Sequence, residues 1–317
     1  MRFALAIGMF DGVHRGHLRL IGALARAARE RDARAVVMTF APHPAAVLRG
    51  APPPLLCDRS EKLRRLADAG VDIIVEQRFD RDFANQTAEA FLERACSDRK
   101  LVALVMTEES SFGRDRSGGL PELRRLGPRL GLEIVEVPNL TREMARLSST
   151  RIRNLLAAGR LSEVRRMLGR RYAIIGRVVQ GDRRGRTLGY PTANLAFVDP
   201  VALPPDGIYA VRVGWGNREP LNPSRSADGV ASLGVRPTFG TDGARVLEVH
   251  VFDIDESLYG RSLRVEFVRR LRGERRYSSA DALIRQMDRD AARARSALAA
   301  AGHRIAGQRS ATKPNAC

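Results

Sequence analysis

Three stretches of this chain carry residue types suited to phosphorus chemistry. The first is Gly8-Met9-Phe10-Asp11-Gly12-Val13-His14-Arg15-Gly16-His17. It follows a short apolar run and opens a segment of helical periodicity. A helix N-terminus there offers unbonded N–H groups and a positive dipole end to an anion. Gly16 lets the backbone come close to a phosphate. His14 and His17, three apart, fall on one side of the first turn. Two imidazoles so placed can donate hydrogen bonds to charge developing on an α-phosphate, which is electrostatic catalysis without a covalent intermediate. The ordinary alternative is a histidine that caps the helix. A zinc site on the same pair lacks a third ligand nearby in sequence.

The second stretch is Ser148-Ser149-Thr150-Arg151-Ile152-Arg153. Small hydroxyl residues before an apolar-periodic segment mark a helix start. The same geometry can hold β- and γ-phosphates, with Arg153 as a charged clamp. The third runs from Gly181 to Leu195 and includes Gly185, Arg186, Gly189, Tyr190, Pro191, Thr192 and Asn194. Its glycines allow a tight loop around phosphate, but no GK[ST] follows, so it is not a Walker A loop. In an extended stretch Thr192 and Asn194 project to one side. Their oxygens are hard ligands that suit Mg2+ bound with ATP phosphates. Farther on, Glu248 alternates with Leu247, Val249 and Val251 and therefore faces away from them. Taken alone it reads as an exposed strand residue.

The first half of the chain alternates two kinds of segment. Phe3–Ile7, Ala35–Thr39, Val71–Val75, Leu101–Met106 and Leu132–Val137 read as strands. His17–Arg29, Glu61–Ala69 and Ala88–Arg94 read as helices. That alternation predicts a parallel, doubly wound α/β sheet. From about Arg171 the pattern changes. Tyr172–Val179, Gly207–Val213, Gly229–Val235, Leu247–Phe252 and Leu263–Phe267 are short strands parted by Gly- and Asp-rich turns, which predicts a closed antiparallel barrel. A helix over Ser279–Ala300 follows, with Ser278 or Ser279 as N-cap and Leu283, Ile284 and Met287 on one face. The expected organisation is a domain over 1–160, a linker at 161–170, a barrel domain over 171–301 and a tail without periodicity, expected to be disordered, over 302–317.

The chain has 317 residues and a net charge of +18, and lysine appears only at Lys62, Lys100 and Lys313. The arginines are spread along the whole sequence. That distribution favours attraction of phosphate-bearing substrates over a nucleic-acid stripe, whose usual motifs are missing. Cys57, Cys96 and Cys317 form no CxxC pair, so neither a zinc site nor a disulfide framework is suggested, and a reducing cytoplasm fits. The apolar start is too short for a signal h-region, and no run approaches the roughly 20 apolar residues of a membrane helix. An oligomer is compatible with the sequence.

The first two stretches resemble the (H/T)xGH and ISSTxIR motifs of the nucleotidylyltransferase superfamily. The longer GxFDGVHxGH pattern, followed by Thr39-Phe40-Ala41-Pro42-His43-Pro44, is similar to the bacterial bifunctional riboflavin kinase/FAD synthetase family. The resemblance implies a Rossmann-like N-terminal domain that transfers AMP from ATP to FMN. It puts Gly8, Phe10, Asp11, His14, Gly16, His17, Ser149, Thr150 and Arg153 against ATP, with His14 and His17 catalytic. The third stretch is similar to the family's GxxxGRxLGxPTANL pattern. Here the resemblance implies a riboflavin kinase barrel in which Gly181, Gly185, Arg186, Gly189, Pro191, Thr192 and Asn194 hold ATP and Mg2+. Arg236, Pro237 and Thr238 lie in a matching segment assigned to flavin, and Glu248 becomes the general base. Tyr259, Gly260, Arg272, Glu274 and Tyr277 continue the match, which covers about Ala4 to Asp290. One segment departs from the family's GxDFxFGxxRxGD loop: Thr107, Glu109, Ser110 and Gly119 stand where Gly, Asp, Phe and Asp are usual. Losing a buried aromatic forfeits about 1.5–3 kcal/mol of apolar burial, and Thr107 replaces a residue suited to positive φ. The expectation is phosphorylation of riboflavin to FMN and adenylylation of FMN to FAD. The alternative is a riboflavin kinase whose N-terminal domain is inactive or repurposed.

Overall fold

A computed structural model describes residues 1–98, 100–138, 147–181, 189–198, 200–216, 223–235 and 245–302. The chain forms two compact units, Met1–Leu55 with Arg59–Arg151, and Leu56–Asp58 with Ile152–Cys317.

The first unit is a five-stranded parallel sheet in the order β3-β2-β1-β4-β5. Its strands are β1 (Phe3–Ile7), β2 (Arg34–Ala41), β3 (Ile73–Arg78), β4 (Leu101–Met106) and β5 (Glu133–Glu136). Strand β1 is apolar at every position because both its faces are covered. Ala4 and Ala6 pack with Leu20, Ile21 and Leu24 of helix α1 (Arg15–Glu30). Phe3 and Leu5 face Phe91 and Leu92 of α5 (Ala88–Asp98) and Leu123 and Leu126 of α6 (Leu120–Leu130). Between them lie α2 (Pro44–Arg49), α3 (Arg59–Asp68) and α4 (Arg81–Ala84). The sequence reading contains no α6, because Pro121, Gly127 and Pro128 interrupt it. Pro121 sits in the first turn, where its missing N–H is harmless. Gly127 is needed because a Cβ there would stand 2.7 Å from the Leu132 carbonyl.

The second unit opens with α7 (Ser149–Ala157), begun in the first unit, and α8 (Leu161–Leu168). The stretch read from sequence as a linker thus carries a helix that buries Val164, Met167 and Leu168. A six-stranded closed barrel follows, in the order β10-β7-β6-β11-β8-β9. Its strands are β6 (Ala173–Val179), β7 (Ala193–Ala196), β8 (Gly207–Trp215), β9 (Arg225–Val235), β10 (Arg245–Val251) and β11 (Ser262–Arg272). Alternate residues fill the interior, among them Tyr209, Leu233, Leu247, Val249, Val265 and Phe267, each at most 1% exposed. Helix α9 (Ala280–Ala300) lies on the outside. Ser279 is its N-cap, accepting from the Ala282 amide at 3.2 Å. Its core contacts are Ala294 and Leu298 against Ala210 and Phe252, while Leu283, Ile284 and Met287 are only half-buried. The expected apolar stripe is therefore shifted toward the C-terminal half.

A buried charge cluster joins that helix to the barrel wall. Arg212 donates to the Leu298 carbonyl (3.0 Å) and Arg171 to the Ala301 carbonyl (2.8 Å), cations where the helix dipole favours them. Glu266, fully buried, pairs with Arg264 at 3.2 Å and Arg171 at 3.5 Å. Nε and Nη2 of Arg264 are enclosed with no partner among the described residues. Removing one member of a buried pair strands the other. Glu266→Gln is expected to lower barrel stability by about 3–5 kcal/mol. Trp215, the single tryptophan, ends β8, so its fluorescence during denaturant unfolding reads this shift directly.

Candidate active sites

In the order β3-β2-β1-β4-β5 the connection reverses between β1 and β4, and a parallel sheet forms its ligand crevice beyond the carboxyl ends of such strands. A cleft of about 270 Å3 lies there. Ile7 and Gly8 from the end of β1 line it, with Thr107, Glu109 and Ser110 from the end of β4. His14, His17, Phe10 and Gly16 complete the β1 side, and Ser148 and Ser149 close the far side.

The loop from β1 to α1 is strained. Phe10 and Val13 have φ of 53° and 37°, and Gly12 has φ of 74°. A β-branched residue in that region is an outlier, and such strain persists only where the surroundings over-determine it. Phe10 and Val13 are each 1% exposed. The Met9 carbonyl accepts from Thr39 Oγ1 at 3.2 Å, and Lys62 Nζ donates to the same hydroxyl at 3.1 Å. Sequence reasoning gave Lys62 no role. Its one visible signal is that lysine is rare in this chain.

His14 is the N-cap of α1, its Nδ1 accepting the His17 amide at 3.3 Å. The capping reading is thus met in His14, whose ring also lines the cleft. An acceptor nitrogen carries no proton, so the proton of neutral His14 is on Nε2. Gly16 makes room for this ring: a Cβ there would lie 3.2 Å from it. The two imidazoles stack, with centroids 3.6 Å apart and planes 14° from parallel. His17 Nδ1 is shut off from solvent and has no partner among the described residues. Burial pushes the His17 pKa well below the usual imidazole range, and the neighbouring His14 pushes it the same way.

Ser149 connects the second motif to the first, donating from Oγ to the Asp11 carbonyl at 2.9 Å. Ser148 Oγ accepts the Arg151 amide at 3.2 Å, as a cap does. Thr150 and the half-buried Arg153 ride on the same helix.

The divergent loop closes on itself. Thr107 donates its amide to Ser110 Oγ at 3.2 Å, and the two hydroxyls meet at 2.8 Å. Thr107 does not take the positive φ expected at that position; Gly113 does, at 77°. Gly113 and Gly118 sit where a Cβ would be 2.6 Å from Ala88 atoms, and Phe112 packs edge-on to Phe91 at 5.6 Å. The aromatic lost at Ser110 is thus replaced by a hydroxyl pair, and the loop keeps its anchor on α5.

In the barrel, β10 pairs antiparallel with β7 and β9, so Glu248 stands directly opposite Asn194 on one side and Ser232 on the other. All three project outward, because Leu247 and Val249 fill the interior. Glu248 is half-buried and Asn194 is 6% exposed. Ser232 was not anticipated, since only the ladder register shows it. Gly181 seats the Asn194 amide: a Cβ would meet its Nδ2 at 2.3 Å. Close packing against Asn194 requires a glycine here. Gly189 has φ of 80°, a conformation glycine adopts without strain. Pro191 and Thr192 lead directly into β7. Glu274 lies over Gly234, where a side chain would overlap its carboxylate. Gly185, Arg186, Arg236, Pro237 and Thr238 lie outside the described residues, as do positions 303–317 of the tail.

Both arrangements suit transfer of a phosphorus group from a nucleoside triphosphate, which makes the protein a transferase with two nucleotide sites. Comparison with known proteins narrows this. The family model for FAD synthetase matches residues 1–151, and that for riboflavin kinase matches 168–298. The bifunctional riboflavin kinase/FMN adenylyltransferase of Escherichia coli K12 is 39% identical over 294 residues, covering 92% of this chain and 91% of the relative. The Haemophilus influenzae protein of the same name is 35% identical, covering 90% and 91%. A solved structure described as a macrolide-efflux protein from Streptococcus pneumoniae superposes with a TM-score of 0.79 at 32% identity, covering 91% of this chain and 92% of that one. Among the described residues no helix is long and apolar enough to cross a membrane. The chain belongs to the bifunctional riboflavin kinase/FMN adenylyltransferase family. It phosphorylates riboflavin to FMN with ATP and adenylylates FMN to FAD.

Unfolded His17 takes up a proton near pH 6.5, whereas buried His17 stays neutral. The unfolded chain therefore binds more protons as pH falls through 6.5, and stability is lost in that direction. The thermal midpoint of the N-terminal unit is expected to drop from pH 7.5 to 5.5, and to drop less in His17→Asn. Gly181→Ala is expected to displace Asn194 and to slow riboflavin phosphorylation on the order of 100-fold, the scale of a misplacement of about 1 Å, with FMN adenylylation unchanged in the same preparation.

Proposed function

We propose that residues 171–301 phosphorylate riboflavin with Glu248 as general base. The observation that carries this is the register pair Glu248–Asn194 on the outer face of the barrel. Glu248 takes the proton of the terminal ribityl hydroxyl. That oxygen attacks the γ-phosphorus of ATP, the bond to the β-phosphate oxygen breaks, and FMN and ADP result. Thr192 and Asn194 supply hard oxygens, and the cradle that Gly181 forms fixes the Asn194 amide, a donor set that fits Mg2+. When bound, that ion neutralises phosphate charge as transfer proceeds. Arg236, Pro237 and Thr238 are assigned to flavin.

We assign adenylylation to residues 1–160. A phosphate oxygen of FMN attacks the α-phosphorus of ATP, and pyrophosphate leaves. His14 holds a proton on Nε2 and donates it as a hydrogen bond to the α-phosphate oxygens, while the first turn of α1 adds backbone N–H groups. Gly8, Phe10, Asp11 and Gly16 shape this end of the ATP site, and Ser149, Thr150 and Arg153 hold the departing phosphates. Neutral His17 backs His14 through the stack. The reduced thiols Cys57 and Cys96 and the use of ATP support a cytoplasmic setting.

Product chromatography tests the division. Wild-type protein with ATP and Mg2+ is expected to convert riboflavin to FMN and FAD, and FMN to FAD. Glu248→Gln should lower FMN formation on the order of 10²–10⁴-fold and spare FAD formation from FMN. His14→Ala should do the reverse, lowering FAD formation on the order of 10²–10³-fold. Undiminished riboflavin phosphorylation in Glu248→Gln would remove the general base from the scheme.

A further inference from the structure

The backbone ladder between β10 and β7 ends at Val249 opposite Ala193. Continuing the same register would bring His250 opposite Thr192, but β7 begins only at Ala193. In place of a ladder bond, His250 Nδ1 stands 2.8 Å from the Pro191 carbonyl oxygen. A carbonyl only accepts, so Nδ1 carries the proton. The Pro191 carbonyl and the Thr192 nitrogen belong to one planar peptide unit. Holding the first therefore holds the second and the Thr192 Cα, and β7, which begins at the next residue, constrains the chain on the other side of Thr192.

The ring itself is held on two sides. Tyr190 meets it edge-on with centroids 5.0 Å apart, and Phe252 meets it at 5.6 Å and 70°. The Tyr190 hydroxyl donates to Asp288 of α9. Phe252 lies beneath the Arg295 guanidinium, 4.3 Å from its ring centre, and Arg295 in turn pairs with Asp253 at 2.7 Å. A packed column thus runs from α9 to the imidazole and on to the peptide ahead of Thr192. His250 also shares the outer face of β10 with Glu248, two residues away.

We infer that His250 is a positioning residue of the kinase site, holding the Pro191–Thr192 peptide so that Thr192 and Asn194 present their oxygens together to the cation and phosphates of ATP. The inference rests on the reading of Thr192 and Asn194 as cation ligands. Nothing in it requires His250 to touch substrate. Phenylalanine at 250 keeps an aromatic ring between Tyr190 and Phe252 but has no donor, whereas asparagine offers an N–H near the position of Nδ1.

The test is calorimetric titration of the full chain with ADP, once with Mg2+ and once with EDTA, beside the kinetics of both reactions. His250→Phe is expected to weaken ADP binding in Mg2+ about tenfold, the scale of one hydrogen bond. ADP binding in EDTA, the riboflavin KM and FAD formation from FMN should stay as in the wild type. His250→Asn should recover most of the Mg2+-dependent affinity. Wild-type affinity in His250→Phe overturns the proposal, and so does a His250→Asn protein as weak as His250→Phe, since the ring's packing alone would then explain the loss. Thr192→Val separates the two layers. If it weakens Mg2+-dependent binding while His250→Phe does not, only His250 is misassigned. If it too binds like the wild type, the cation reading of this segment falls, and the role of His250 with it.

Discussion

Strand β10 is hydrogen-bonded on both edges, to β7 and to β9, inside a barrel with no free edge. A strand so held cannot slip. A shift of one residue would turn Leu247 and Val249 to solvent and drive Glu248 into the apolar interior. Closure of the barrel therefore does more than protect edges: it sets which polar side chains share an outer face, and Asn194, Glu248 and Ser232 form a row because no other register is open. The glycines follow from that row. Gly181 and Gly234 occur where neighbouring side chains, Asn194 and Glu274, need the volume a Cβ would fill.

The N-terminal site is organised differently, with a helix start instead of a ladder. His14 ends the loop and begins α1 in the same residue, and its ring both caps that helix and lines the cleft. This double use restricts the proton to Nε2. It also explains why strained backbone at Phe10 and Val13 is tolerated, since both side chains are buried in the core that α1 covers. The buried Thr39–Lys62 pair, from β2 and α3, holds the loop from beneath.

Much of this was legible in the residues. Strand β1, helix α1 and the capped helix α9 follow from apolar periodicity and Ser279. The closeness of His14 and His17 follows from residue type and spacing. What was not legible has identifiable causes. Strand β7 is four residues long and exists because distant β6 and β10 flank it. Helix α6 hides behind two prolines and a glycine whose positions, first turn, last turn and close contact, make them compatible with a helix. Ser232 and His250 gain meaning only from register. The positive φ of Phe10 and Val13 cannot be read from residue types that seldom adopt it. The loop over Thr107–Gly119 shows the opposite failure: the changed residues were visible, but their compensation, a turn closed by two hydroxyls, required coordinates.

The hydrogen bond from Ser149 to the Asp11 carbonyl joins residues 138 positions apart. A ribosome adding about 5–20 residues per second finishes the loop that bears His14 about 7–27 seconds before Ser149 is made. During that interval the nascent domain lacks one wall of its nucleotide cleft. The adenylylation site is therefore a late event in synthesis, completed only as the chain passes from its first unit into its second.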